Sequence, residues 1–365
     1  MTAEERSWLR LHLTRGLGRV GLIRLMDVFG SLEAVLSASP AAWRARAGIR
    51  EAVAADFPAV DEPRLTATLA LLEKSGVHIV SLWDEECYPT LLRAIHDPPA
   101  LLYIRGELPA NDSFAVVGAR QASAAGRQLT RETCRELASR GIAIVSGLAR
   151  GIDTAAHLGA LDGQGLTVGV LGCGIDRVYP PENRHLFLRI QEQGAVLSEY
   201  PPGTPPLPGH FPGRNRIISG LCRGVLIVEA AEGSGSLITA DFALEQGREV
   251  FAVPGAVFSP TSQGVNRLLK DGARLVTDAR DILEVLWPQL PSRSVRRRED
   301  SFAGRLTGDA LSVYRKLGND PLHIDELARE SGLTPMEVSA ILLHLELQGG
   351  VEQLPGMRYV RSRNP

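Results

Sequence analysis

The segment GVLIVEAAEGSGSLITADFALEQGREVFAVPG, Gly224–Gly255, decides the fold. Two apolar runs, GVLIVEA and EVFAVPG, flank a glycine- and serine-bearing turn and a stretch of helical composition. Neither run alternates polar with apolar residues, as a strand with one wet face would. Near-continuous apolar strands are buried on both faces, which is the condition of a parallel sheet covered by helices. Working outward, FAVVGA (Phe114–Ala119), AIVSGL (Ala143–Leu148), TVGVLG (Thr167–Gly172) and AVLSEY (Ala195–Tyr200) repeat the pattern. Each is followed by a glycine-bearing turn and a helical segment. Six such units predict an α/β chain with a doubly wound parallel sheet. The upstream piece Val77–Leu108 is expected to add a strand or two.

The flanks differ in texture. Residues 1–65 read as a helical domain, with a GLG turn at Gly16–Gly18 that resembles a helix-hairpin-helix. A plain packing hairpin is the preferred reading of so short a signal. The sheet domain is assigned to 66–288. A Pro-, Ser- and Arg-rich segment without periodicity, 289–305, reads as a linker. Residues 306–365 give three helices and a terminal hairpin, the order of a winged helix; Thr334 caps the third helix and Pro335 sits in its first turn.

The totals restrict the function. A chain of 365 residues with 44% hydrophobic and 22% charged content is a globular protein of about two to three domains. It has no run of about 18 apolar residues and no secretory pattern in MTAEERSWLR, so a cytoplasmic protein without membrane contact is expected. Cys87, Cys134, Cys173 and Cys222 form no CxxC pair, so they read as reduced thiols and no metal is expected. The net charge of −2 does not advertise a nucleic-acid partner. Of 40 basic residues only Lys74, Lys270 and Lys316 are lysines. Codon composition accounts for most of that bias, although guanidinium forks also suit phosphate.

In a parallel α/β sheet, ligands gather at the carboxyl ends of the strands, where helix N-termini offer free N–H groups. Four turns there carry fitting residues. VVGARQAS supplies Gly118, Arg120 and a capping Ser123. SGLARGID supplies Ser146, Gly147 and Arg150. LGCGIDRVYPPEN follows the third run. EAAEGSGSLITA brings Gly233, Ser234, Gly235 and Ser236, able to cradle an anion. Each turn alone is weak; together they point to one anion-binding edge. The stretch GHFPGRNRIISGL then sets Arg214, Asn215 and Arg216 at the expected start of a helix on the same edge. Two cations at a helix's positive end call for an anion; salt bridges to Glu199 or Glu229 rank second.

No GxxxxGK[ST], HExxH or GxSxG occurs, and the GCG turn lacks the dinucleotide spacing. His157, four residues after Asp153, reads as a packing residue rather than a catalytic one. Without a nucleophile, metal or base, a non-catalytic groove for a nucleic-acid backbone is favoured, with no cofactor. Phosphate contacts carry no sequence information, so binding should be sequence-tolerant and salt-sensitive. Phe211 is the candidate base-stacking ring. Tyr200 is as well explained by packing.

As a set, VVGARQASAAG, VSGLARGIDTAAH, VLGCGIDRVYPPEN, SEYPPGTPPLPGHFPGRNRIISGL, the Gly224–Gly255 segment and SQGVNRLLKDGA resemble the DprA (DNA-processing protein A, Smf) family. The resemblance runs from about Tyr88 to Val276. It implies a protein that binds single-stranded DNA in natural transformation, protects it and loads a RecA-type recombinase. It further implies a SAM-like N-terminal domain, an extended Rossmann-like domain and a DML1-like winged-helix C-terminal domain, with a homodimer formed through the Rossmann-like domain. On this sequence the family's basic pocket falls on Arg120, Arg150, Arg214 and Arg216; many members carry lysine where Arg150 stands.

The third helix of the terminal domain, Thr334–Gln348, contains Glu337 and Glu346 and neither Arg nor Lys. Such a helix would be repelled by phosphates, so a protein contact is favoured over base readout. Arg358, Arg361 and Arg363 of the wing, and Arg296–Arg298 of the linker, leave a minor DNA role open. Two other readings remain. One is a Rossmann-like nucleotide phosphoribohydrolase, with Glu245 as its acid. The other is a transcription factor, which the acidic third helix disfavours.

Overall fold

The computed structural model describes residues 1–110, 112–290, 303–318, 321–354 and 356–361. The chain divides into two units, Met1–Pro288 and Gln289–Pro365.

The first unit opens with six helices: α1 (Ala3–Leu13), α2 (Gly18–Phe29), α3 (Leu32–Ser37), α4 (Pro40–Ala47), α5 (Glu51–Ala55) and α6 (Pro63–Lys74). Thr2 starts α1 with a capping box closed by Glu5. The border drawn at residue 65 falls inside α6. These helices share an apolar core with the sheet, in which Trp8, Leu22 and Trp43 cluster with Tyr103 and Val196. His12 Nδ1 and the Tyr103 hydroxyl meet there at 2.8 Å.

Then follow β1 (Val77–Ser81), α7 (Thr90–Arg93), β2 (Leu101–Gly106), β3 (Ser113–Gly118), α8 (Ala124–Ser139), β4 (Ala143–Ser146), α9 (Ile152–Asp162), β5 (Thr167–Leu171), α10 (Arg184–Glu192), β6 (Gly194–Ser198), α11 (His210–Gly220), β7 (Gly224–Val228), α12 (Gly235–Glu245), β8 (Glu249–Ala252), α13 (Gln263–Lys270), β9 (Arg274–Leu275) and α14 (Ala279–Leu286). The six apolar runs are β3 to β8. The sheet order is β1-β2-β6-β5-β4-β3-β7-β8-β9. All pairings from β3 to β9 are parallel, while β1 and β2 join antiparallel at one edge.

Strand order reverses at β3, whose neighbours are β4 and β7. Crevices outside the carboxyl ends of strands form at such a switch point. Backbones come close there: Gly118 pairs with Val228, and a Cβ on Gly118 would lie 1.8 Å from the Val228 carbonyl oxygen. Only glycine fits that position.

The second unit has α15 (Gly308–Lys316), β10 (Leu322–His323), α16 (Ile324–Ser331), α17 (Pro335–Leu347), β11 (Val351–Leu354) and β12 (Arg358–Arg361). The strands pair in the order β10-β12-β11, the hairpin of a winged helix. Thr334 caps α17 in a box with Glu337, and Leu327, Val338, Leu342 and Leu345 fill the core. Arg296–Arg298, Arg363 and most of the 289–305 linker lie outside the described residues.

Candidate nucleic-acid interface

A cleft of about 660 Å³ opens at the switch point. It is lined by the β3–α8 turn at Gly118–Gln121, by Phe211, Arg214 and Asn215 of α11, and by Gly233–Ser236 ahead of and within α12. A smaller adjoining pocket adds Gly147, Arg150, Gly172 and Pro180 and shares Arg120, Tyr179, Phe211 and Arg214 with the cleft. Residues from four strand-end turns thus converge, although their N–H groups are not equally free.

Two of the turns are closed by the protein's own carboxylates and a third by a backbone carbonyl. At the first, Glu229 accepts the Ser123 N–H at 2.8 Å and also the Ser123 hydroxyl. That hydroxyl in turn caps α8 through Gly126 N–H, at 2.9 Å. At the second, Asp153 accepts the N–H of Gly147 at 3.0 Å and of Ala149 at 3.3 Å. Burial pushes the Asp153 carboxyl above its usual range, with Arg214 opposing. At the third, Gly174 N–H donates to the Thr204 carbonyl at 3.0 Å, while Asp176 reaches out of the turn to accept the Gly203 N–H at 2.8 Å. The fourth turn is closed by no carboxylate: Ser234 N–H donates to the Ala231 carbonyl at 3.1 Å and Leu237 N–H to the Ser234 carbonyl at 3.0 Å, and the N–H groups of Gly233 and Gly235 stay open among the described residues. A Cβ on Gly233 or Gly235 would meet nothing within 4 Å, and Gly233 sits at φ +72°, which suits glycine. Ser234 caps α12, with its hydroxyl 2.8 Å from that of Ser236.

The arginines divide in the same way. Arg120 is exposed, and no carboxylate pairs with it among the described residues. Its guanidinium carbon lies 5.8 Å from the centre of the Phe211 ring, and that of Arg214 lies 5.9 Å from it. Arg150 pairs with Glu182, and both side chains are largely exposed. Solvent screens an exposed pair, so Arg150 can exchange its partner for a phosphate.

Two expectations need correction at α11. The helix starts at His210, so Arg214 and Arg216 are its fifth and seventh residues rather than its N-terminus. Residues two apart on a helix point about 200° apart, so the pair cannot serve one edge together. Arg214 turns under the cleft and is 5% exposed. Its Nη1 donates to the carbonyls of Gly147, at 2.8 Å, and Val170. Burial pushes its guanidinium below the ordinary value. Arg216 turns the other way, into a buried fork with Glu199 at 2.8 and 2.6 Å, while its Nε reaches Asp97. The Glu199 salt bridge, ranked second from the sequence, is the arrangement present; it engages all three guanidinium nitrogens, and Arg216 does not line the cleft.

Ser146 and Gly147 are corrected as well. Ser146 is fully buried and its hydroxyl donates to the Val116 carbonyl at 2.7 Å. Gly147 is glycine because Arg214 lies on it: a Cβ there would come 2.5 Å from a guanidinium nitrogen. Asn215 ties α11 to the open turn, donating to the Gly235 carbonyl at 3.2 Å. Tyr200 stacks on His210 at 4.2 Å, a packing role. His157 does not serve Asp153. Its Nδ1 meets the Thr167 hydroxyl at 2.7 Å, and because that hydroxyl donates to Ile144, the ring nitrogen is the donor. Burial holds this histidine down at about 3. Glu245 ends α12, exposed and about 15 Å along the helix from Gly235, which leaves the hydrolase reading without its acid at the cleft.

The sequence reading overlooked Tyr179, which is half exposed in the cleft and packs against Phe211 at 5.5 Å. It stands inside the third quoted turn, and its ring was the available signal. Glu229 was considered only as an arginine partner; its place directly after an apolar run marks it as a strand-end residue. On the wing, Arg358 is exposed, whereas Arg361 donates to the Tyr314 and Arg315 carbonyls. Among the described residues no cluster of His, Cys, Asp or Glu could hold a metal, and no helix is long and apolar enough to cross a membrane.

A doubly wound α/β unit with an arginine- and aromatic-lined cleft at its switch point, carried on one chain with a winged helix, defines the class. The chain belongs to the DNA recombination-mediator protein A family, whose sequence model matches residues 78–287, and a DprA winged helix domain matches residues 300–357. It is 44% identical to protein Smf of Escherichia coli over 82% of this chain and 81% of that one. It is 42% identical to the DNA processing protein DprA of Bacillus subtilis over 65% and 79%. The X-ray structure of DprA from Streptococcus pneumoniae superposes with a TM-score of 0.67 at 37% identity, over 78% of this chain and 99% of that one. DNA processing protein A from Helicobacter pylori, described by its single-stranded DNA binding mode, superposes at 0.52 and 30% identity, over 58% and 100%.

Proposed function

We propose that the chain binds single-stranded DNA across the switch-point cleft and hands it to a RecA-type recombinase in natural transformation. It would act in the cytoplasm as a homodimer through the Rossmann-like domain. One observation carries the DNA part: the exposed Arg120, the rings of Phe211 and Tyr179 and the open N-terminus of α12 line one cleft of about 660 Å³. Cation, ring and free N–H groups are what a backbone-tracking, base-stacking groove needs. Arg120, Arg150 and Gly233–Ser236 are assigned to phosphates, with Gly118 allowing the close turn. Arg214 and Asn215 shape the wall, and Phe211 takes a base. Family membership supports the recombinase, transformation and dimer parts.

The winged helix fits a protein contact. α17 has no Arg or Lys and exposes Met336, Leu343 and Leu347.

Salt-titrated anisotropy with labelled single-stranded and duplex oligonucleotides tests the reading. Arg120→Ala is expected to weaken single-strand binding about tenfold and to lower the log–log salt slope by about 0.7, one phosphate's share. Phe211→Ala is expected to cost about 1–3 kcal/mol of binding with little change in slope. Equal affinity for duplex, or an Arg120→Ala curve that overlies wild type at every salt, would sink the groove.

A further inference from the structure

Arg120 projects from a short turn, so its usefulness depends on how firmly the backbone from Gly118 to Ser123 is held. Three contacts hold it. Gly118 is locked against Val228 by the strand pairing. Gly151 lies beneath the turn, where a Cβ would come 2.2 Å from the Ala119 carbonyl oxygen and 2.6 Å from that of Arg120, and Ile152 N–H donates to Ala119 at 3.2 Å. At the far end stands Glu229, 106 residues away in sequence, gripping Ser123 by both its N–H and its hydroxyl.

The surroundings of Glu229 are shaped to that grip. Gly126 has no side chain where one would strike the carboxylate, since a Cβ would lie 2.5 Å from Oε1. Glu229 itself adopts φ +51°, a left-handed conformation that favours glycine. A glutamate kept there needs a use for its side chain. We propose that Glu229 is the positioning residue for Arg120: by tying the end of β7 to the start of α8 it fixes the turn that presents the guanidinium to the strand. The inference rests on the groove reading above.

The sign of the effect separates positioning from simple charge. Removing a carboxylate near a DNA site should tighten binding through reduced repulsion. Positioning requires the opposite. Glu229→Ala is expected to weaken single-stranded oligonucleotide binding about fivefold and to lower the salt slope, as Arg120→Ala does. In the Arg120→Ala background the same change should have less than about a twofold effect, because coupled residues are not additive. Glu229→Gln, which keeps an acceptor for the Ser123 N–H, should recover part of the loss. Glu229→Gly relieves the left-handed φ and so supplies a folded variant without the carboxylate if the alanine variant fails to fold. Tighter or unchanged binding by the Glu229 variants, or a loss that adds in full to that of Arg120→Ala, overturns the inference. Arg120→Ala without effect would instead remove the groove reading, and the inference with it.

Discussion

The turn after β4 and the turn after β7 look alike in sequence and behave as opposites in the structure. SGLARGID and EGSGSL both set glycines between an apolar strand and a helix on the same sheet edge. In the first, Asp153 takes the N–H groups of Gly147 and Ala149, Ser146 is spent on Val116, and Arg214 lies across Gly147. In the second, a Cβ on Gly233 or Gly235 would meet nothing within 4 Å, and no carboxylate accepts the turn's N–H groups among the described residues. Glycine permits a nest of backbone donors, but an acidic residue decides whether that nest is already filled. Glu229 repeats the point at the turn after β3, whereas the turn after β5 is filled by the Thr204 carbonyl. The closed turns offer the cleft side chains, Arg120 and Arg150 among them, and the open one offers backbone.

The largest effect that can break this comparison is at Arg216, on the closed side. Arg216→Glu would set a carboxylate against Glu199 and Asp97 in a buried site. Removing one partner of such a pair costs about 3–5 kcal/mol, and charge reversal should cost no less. The expected outcome is a large drop in the urea midpoint of the Met1–Pro288 unit. A variant with wild-type stability and abolished DNA binding would return Arg216 to the interface.

Acid sharpens the comparison at smaller magnitude. His157 of α9, the helix that follows the closed turn, packs against Thr167 at the start of β5 and is held near 3 by burial, against about 6.5 when unfolded; His12 in the N-terminal core is held near 4. Between those values the unfolded chain binds protons that the folded chain refuses. Stability is therefore lost as pH falls below about 6.5, by on the order of 1 kcal/mol per pH unit for each histidine. Asp153, with its carboxyl raised by burial, acts in the reverse sense above its ordinary range. Urea midpoints measured between pH 7 and 5 should fall more shallowly in His157→Gln than in wild type. Identical slopes would show that His157 is not held neutral.

The sheet was legible because burial on both faces leaves a compositional mark: each of the six apolar runs is a strand. β9 left none, since Arg274 and Leu275 are both exposed at the sheet edge. The start of α11 was hidden by Pro212 and Gly213, which look like breakers. Pro212 is the third helical residue, where its missing N–H has no intrahelical acceptor to lose. Misplacing that start put Arg214 and Arg216 together at an end instead of back to back in the body. The candidate site was legible as an edge, from Arg120 and the Gly233–Ser236 turn. Its occupancy was not, because closure by Glu229 depends on a contact across 106 residues that no local pattern announces.

The smallest expected effect is the most direct test of what separates the two turns. Ser234→Asp would give the open turn the carboxylate that the closed one has. Ser234 is the N-cap of α12, and Asp caps as well as Ser while adding a negative charge at the helix's positive end. Stability should therefore rise slightly, by about 0.3–1 kcal/mol. The same charge would compete with an incoming phosphate, so single-strand affinity should fall about threefold to tenfold. Ser234→Asn supplies the cap without the charge and should bind as wild type does. Opposite signs for stability and binding in the aspartate variant alone would identify the α12 N-terminus as a phosphate site. Unchanged affinity would place the strand's path elsewhere in the cleft, along Arg120 and Phe211.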